Sequence, residues 1–378
     1  MKRKDTGTGG SEDEVFFDNE KFNIDTVFVK DIKRAVHSIN ELNEIIKNDP
    51  CNAAAHVERG MAHIERNHYR LAVADFGRAI KCEPDNPLMY YNRGIAYILK
   101  KEYDRAIADF GRAAELKPDF ANAYYGAALA AGEKKEYDRA IEGYGWAISA
   151  DPNLATAYFE RGRVYSEKKD FDNAVKDFSE AILLGMNKAN VYTNRAIAFL
   201  TKGDYEGAIA DFGRVIEAKP DCVSYGNRGT AYLKNEDWER ALDDFNIALK
   251  LDSSFALGYL HRGVAYLNMK RYDEAAADYS ESIRLDAKYA PAFFDRGFLY
   301  AERGDYERAI SDYSKGLELN PFHARAYFER GKAYQATGDM AMAASDYNQA
   351  ARFDKSMGRR FLEMVDHSGN GEELVISN

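Results

Sequence analysis

The hexapeptide Asp75-Phe76-Gly77-Arg78-Ala79-Ile80, DFGRAI, opens with the tripeptide whose aspartate holds Mg²⁺ in protein kinases, and Lys81 completes an AIK behind it. The tripeptide returns in DFGRAA from Asp109 and again in DFGRVI from Asp211, at offsets of 34 and then 102 residues, the second three times the first. One active site needs one metal-holding aspartate, so three copies on a fixed period mark a structural repeat. The other kinase parts are missing from the sequence. No G-x-G-x-x-G loop precedes the motif, HRG at 261–263 lacks the catalytic aspartate, and Lys81 stands downstream where a kinase needs its lysine well upstream.

Proline gives the same period independently. Pro50, Pro84, Pro118 and Pro152 are spaced by 34, Pro220 lies two periods further, and Pro321 follows 101 residues later, which places a one-residue deletion near Asp221 and Cys222. Nine repeats then begin at Ala53, Pro87, Ala121, Ala155, Ala189, Cys222, Ala256, Ala290 and Ala324. Each holds two stretches with apolar residues at spacings of three and four, separated by a short polar turn, which predicts two helices per repeat. The prolines end the second helix, and an Asp or Asn after them is suited to cap the next.

Within a repeat, position 8 is Gly in seven copies (Gly60, Gly94, Gly162, Gly229, Gly263, Gly297, Gly331) and Ala in two, position 20 is Ala in all nine, and position 24 is always Phe or Tyr. A small residue on each helix and one ring between them is a rule for close packing of two helices. The pattern resembles the tetratricopeptide repeat and covers residues 53–357. The resemblance implies an all-α fold, a right-handed superhelix of antiparallel helix pairs. Residues 21–52 read as a degenerate capping repeat with Leu42 and Ile45 at core positions. Residues 358–367 read as a C-terminal capping helix presenting Phe361, Leu362 and Val365. The ends, 1–20 and 368–378, read as mobile tails.

A net charge of −10 and a pI near 5.4 disfavour a nucleic-acid phosphate tracker, which needs a basic surface. The first twenty residues have no apolar stretch of signal-peptide type, and no 18-residue apolar run occurs. Cys51, Cys82 and Cys222 lie far apart without CxxC spacing and read as free thiols, hence a reducing, cytoplasmic setting. Position 7 is Arg and position 23 is Asp in eight repeats, and the third repeat lacks both, with Ala127 and Gly143 instead. The matched loss predicts an Arg–Asp ion pair inside each repeat. The Gly of DFG, position 25, varies to Ser and Asn and reads as solvent-facing.

No catalytic or metal-ligand constellation is visible, so neither an enzyme nor a cofactor is expected. The resemblance implies a groove lined by first-helix positions 2, 5, 6, 9, 12 and 13. Position 5 supplies Tyr91, Tyr125, Phe159, Phe294 and Phe328, and position 6 supplies Asn92, Asn194 and Asn227 beside Glu58, Glu160, Asp295 and Glu329. Asn offers a donor and an acceptor to a peptide backbone, while the acids favour a neutral or basic segment. The Lys and Arg set with which some relatives clamp acidic chaperone tails is missing. The reading is a protein-binding scaffold without enzymatic activity, with an RNA-associated adaptor or an enzyme of unrecognised site as rivals. Trp146, at position 26 of the third repeat, reads as an outer anchor, and Gly126, Gly132, Gly143 and Gly145 around it read as weakening that repeat.

Overall fold

The computed structural model describes residues 37–357, which form nineteen α-helices and no strand. The expected tails and the C-terminal capping helix lie outside the described residues, as does half of 21–52. Helix α1 (Ile39–Asn48) precedes nine pairs: α2 and α3 (Ala53–Glu65, Tyr69–Cys82), α4 and α5 (Pro87–Leu99, Tyr103–Leu116), α6 and α7 (Ala121–Glu133, Tyr137–Ala150), α8 and α9 (Ala155–Glu167, Phe171–Leu183), and α10 and α11 (Ala189–Lys202, Tyr205–Ala218). They continue with α12 and α13 (Cys222–Lys234, Trp238–Leu251), α14 and α15 (Ala256–Asn268, Tyr272–Leu285), α16 and α17 (Ala290–Glu302, Tyr306–Leu319), and α18 and α19 (Ala324–Thr337, Met340–Phe353). By contacts the chain divides inside α11 into two compact bodies, one ending at Asp211 and the other starting at Phe212. Each body is a solenoid of stacked antiparallel pairs.

Local chemistry sets the helix ends. Asn52, Asn86 and Asp221 accept a hydrogen bond from an amide of the following turn and so cap α2, α4 and α12. The turn inside every repeat carries one left-handed residue, always at position 15. Gly203, Gly304 and Gly338 fill it in three repeats, and Asn67, Lys101, Lys135, Lys169, Glu236 and Lys270 in six, the latter with φ of 59–61°. The amide of position 16 returns to the carbonyl of position 11, as from Glu102 to Tyr97, which closes each first helix in a Schellman turn.

The core repeats with the sequence. A Cβ added to the position 8 glycines would stand 2.7–3.1 Å from the position 24 ring, as at Gly60 against Phe76 and Gly297 against Tyr313, so in these seven repeats Gly lets the two helices close over that ring. The position 20 alanines and position 24 rings are buried throughout. The third repeat solves the same problem differently. Ala128 replaces Gly at position 8 and packs against Gly143 at position 23, where an added Cβ would stand 2.9 Å from the Ala128 methyl. Gly126 is likewise a close approach, since a Cβ added there would stand 2.7 Å from the Phe110 ring. These two glycines are therefore sites of close packing beside the core that Phe110, Ala128 and Tyr144 share.

Two ladders tie the repeats together. In all eight repeats that carry both, the position 7 Arg donates through Nε and Nη2 to both carboxylate oxygens of the position 23 Asp at 2.6–2.8 Å, from Arg59–Asp75 to Arg330–Asp346. The guanidinium also lies over the rings of positions 4 and 11, for example Tyr225 and Tyr232 around Arg228 at 5.7 and 5.8 Å. The remaining Nη1 reaches back to position 25 of the preceding repeat: Arg195 donates to Ser179 at 3.0 Å, Arg262 to Asn246 at 2.7 Å, Arg296 to Ser280 at 2.9 Å and Arg330 to Ser314 at 2.8 Å. Position 25 thus belongs to the seam between repeats, a correction to its reading as solvent-facing. A second, exposed ladder joins a position 14 cation to the position 18 Asp of the preceding repeat, as in Arg303–Asp273 at 2.6 Å and in Lys134–Asp104.

The cysteines correct another expectation. Cys51 and Cys82 form a disulfide, leaving Cys222 free. Their separation of 31 residues is nearly one repeat, and residues one repeat apart in a solenoid are neighbours in space. The reducing-compartment expectation rested on three free thiols and loses that support. No described helix is long and apolar enough to cross a membrane.

Candidate binding face

First helices touch first helices along each body: α2, α4, α6, α8 and α10 in succession, and α12, α14, α16 and α18 in the other. They therefore line one face of each body, on which positions 5 and 6 were expected to present a peptide-binding surface.

Position 5 does not present open rings. Tyr91, Tyr125, Phe159, Phe294 and Phe328 are each at most 6% exposed. Tyr91 packs on Phe110 and Phe120 at 5.6 and 4.9 Å, Tyr125 on Tyr144 at 5.6 Å, and Phe159 on Phe178 at 5.8 Å. Phe294 stacks on His323 at 4.4 Å, and Phe328 meets Tyr347 at 5.5 Å. These rings extend the core between neighbouring helices, which corrects their reading as open lining of the groove. One turn of helix carries position 5 towards the position 24 ring, and sequence spacing alone could not say on which side of the seam it falls.

Position 6 splits into open and closed members. Asn92 is half-buried, and Asn194 donates from Nδ2 to the Asn190 carbonyl at 2.7 Å. Asn227 is buried, so the three asparagines do not form one accessible row. Glu58 meets His37 at 3.1 Å, and Glu329 accepts from Lys332 Nζ at 2.8 Å. Glu160 and Asp295, expected on the surface, are buried instead. Burial pushes the Glu160 carboxyl up to about 7 despite Arg163, whose Nη1 donates to Oε2 at 3.0 Å. Burial pushes Asp295 up to about 8, with only the field of Arg325 opposing. His261, at the same position in the seventh repeat, is pushed down to about 4 by burial and by Lys234, and its Nδ1 lies 3.1 Å from the Thr230 hydroxyl. Trp146 stands apart on α7, 56% exposed.

Among the described residues no cluster of three or more His, Cys, Asp or Glu has the geometry to hold a metal ion. What the face can offer is hydrogen bonding and carboxylate charge, from Asn92, Asn194, Glu58 and Glu329.

Comparison with known proteins agrees with this architecture. The tetratricopeptide repeat model matches residues 57–123, 125–190 and 227–290, a second model of that description matches 189–222 and 324–356, and a TPR repeat model matches 299–338. No curated protein matches. Among solved structures, a tetratricopeptide repeat protein from Parabacteroides merdae superposes with a TM-score of 0.55 at 19% identity, over 63% of this chain and 96% of its own. The C-terminal part of a TPR repeat-containing protein from Cytophaga hutchinsonii gives 0.51 at 20% identity, over 63% and 98%. The Cut9–Hcn1 structure of the APC/C gives 0.51 at 14% identity, over 82% and 76%. At such identities these structures speak for the fold alone, whereas the family models cover more than half of the sequence. The chain belongs to the tetratricopeptide repeat family.

Proposed function

We propose that the protein is a non-enzymatic scaffold that holds an extended, neutral or basic segment of a partner protein against the face built by its first helices. The observation that carries this reading is the composition of position 6. Its open members are the carboxylates Glu58 and Glu329 and the amides Asn92 and Asn194, and no member of the row is Lys or Arg. Such a row repels acidic tails and nucleic-acid phosphates, and attracts cationic side chains. Asn92 and Asn194 have the accessible amides suited to a peptide backbone. A peptide array screened with the intact chain, at low and high salt, identifies the class of ligand. Asn92→Ala with Asn194→Ala weakens binding of the peptides so found several-fold and leaves melting near its starting value. Preference for acidic peptides, or for RNA, overturns the reading.

A further inference from the structure

The eight seams between successive repeats differ in a correlated way. Position 24 of one repeat faces position 6 of the next, as the Phe110 ring against Gly126 and Phe245 against His261 show. Where position 24 is Phe, the facing residue is Asn92, Gly126, Asn194, Asn227 or His261. Where it is Tyr, at Tyr144, Tyr279 and Tyr313, the facing residue is Glu160, Asp295 or Glu329. A phenol and a carboxyl therefore occur together or not at all. Each phenol feels its carboxyl electrostatically: Tyr144 feels Glu160, Tyr279 feels Asp295, and Tyr313 feels Glu329 and then Asp295.

Two of the three seams are closed around their acids. Glu160 is 3% and Asp295 2% exposed, and Glu160 Oε1 and Asp295 Oδ2 are buried without a donor, as are the hydroxyls of Tyr279 and Tyr313. The third acid, Glu329, is partly open and paired with Lys332. Glu160, on α8, is faced by Tyr125 and Glu133 from α6 and by Tyr144 from α7, and by Arg163 from its own helix. Asp177 of α9 is engaged by Arg161. Asp295, on α16, is faced by Tyr279 from α15, Tyr313 from α17 and Arg325 from α18, while Asp312 is engaged by Arg296.

We propose that these two seams are proton-gated, the repeats staying closed while Glu160 and Asp295 carry a proton and parting locally when it leaves. A neutral carboxyl is tolerated among rings at far lower cost than a carboxylate. A carboxylate there has one oxygen with no donor and is strongly disfavoured. In an opened seam each acid returns to its ordinary value near 4, whereas the closed seam holds its proton up to about 7 at Glu160 and about 8 at Asp295. Between these limits the closed state binds one proton more than the open state. Opening therefore rises about tenfold per pH unit and levels off above the closed-state value.

Hydrogen exchange of the intact chain between pH 5.5 and 7.0 tests this, with the Phe178/Asn194 seam as the internal standard for base-catalysed exchange. Peptides spanning Asp295 should gain about 30-fold in opening over that standard, and those spanning Glu160 about 15-fold, because its rise is already levelling off at pH 7. Glu160→Gln and Asp295→Asn should each abolish the excess at their own seam and leave the other unchanged. An equal profile at all seams, or an excess that survives these variants, overturns the proposal. If a variant fails to fold, carbon NMR titration of the native carboxyls decides: two acids titrating near neutrality support the gate, and none above about 5 overturns it.

Discussion

The guanidinium at position 7 is the residue that most repays attention, because three different partners use it at once. Its carboxylate at position 23 is almost closed to solvent, so the pair is held by two parallel charge-assisted hydrogen bonds in place of water. At Asp75 burial would raise the carboxyl, and the hydrogen bonds from Arg59 and Arg78 bring it below its ordinary value. At Asp278 burial prevails over Arg262 and the carboxyl is raised. The third donor, Nη1, is met by Ser or Asn at some seams and by Gly77, Gly145 or Gly213 at others, where a Cβ would stand 3.8–3.9 Å from it. Gly77→Ser and Gly145→Ser therefore supply the hydroxyl that Ser179 supplies to Arg195. Each should stabilise by about 1 kcal/mol, from helix propensity and one new hydrogen bond. Gly111→Ser is the control, since the next repeat has Ala127 where the Arg would be and nothing lies near its Cβ. It should gain only about 0.5 kcal/mol. Urea midpoints at constant slope measure the difference, and equal gains at all three sites would refute the seam contact.

At the scale of the element, the turn is where sequence reading was least informative. The helix pairs, their register and the Gly–aromatic contact were legible because proline, glycine, alanine and a ring recur on one period. The left-handed residue at position 15 was not, because Lys101, Lys135, Lys169 and Lys270 occupy it and lysine carries no such signal. The Schellman hydrogen bonds force the conformation whatever the side chain. The position 5 rings were misplaced for a related reason: helical spacing gives an angle around one helix but not the distance to the next. A non-glycine residue in this region costs roughly 1 kcal/mol. Lys169→Gly should recover much of this, less the flexibility gained by the unfolded chain. The exposed ladder partner Lys168 is untouched by the change. A rise in melting temperature is expected, and a fall would mean that the side chain of Lys169 contributes more than its backbone costs.

At the scale of the whole molecule, a solenoid draws its stability from nearest neighbours, so its ends are its weakest part. The sequence showed where the repeats begin, and it also held the means to pair Cys51 with Cys82, because their separation falls three residues short of one period. That inference needed the stacking of repeats as well as their count. The disulfide ties the loop after α1 to the end of α3 and thereby binds the first repeat to the helix preceding it. Closing a loop of this length restricts the unfolded chain by about 3–4 kcal/mol in the chain-entropy treatment. Because coupling runs only between neighbours, reduction should be felt locally. Amides of α1, α2 and α3 should exchange faster after reduction, while α16 and α17 keep their protection. In denaturant without reductant, one thiol per chain, that of Cys222, should react with a thiol reagent, and three should react after reduction. Three reactive thiols before reduction would exclude the bond, and equal loss of protection at both ends would show that the chain unfolds as one cooperative unit.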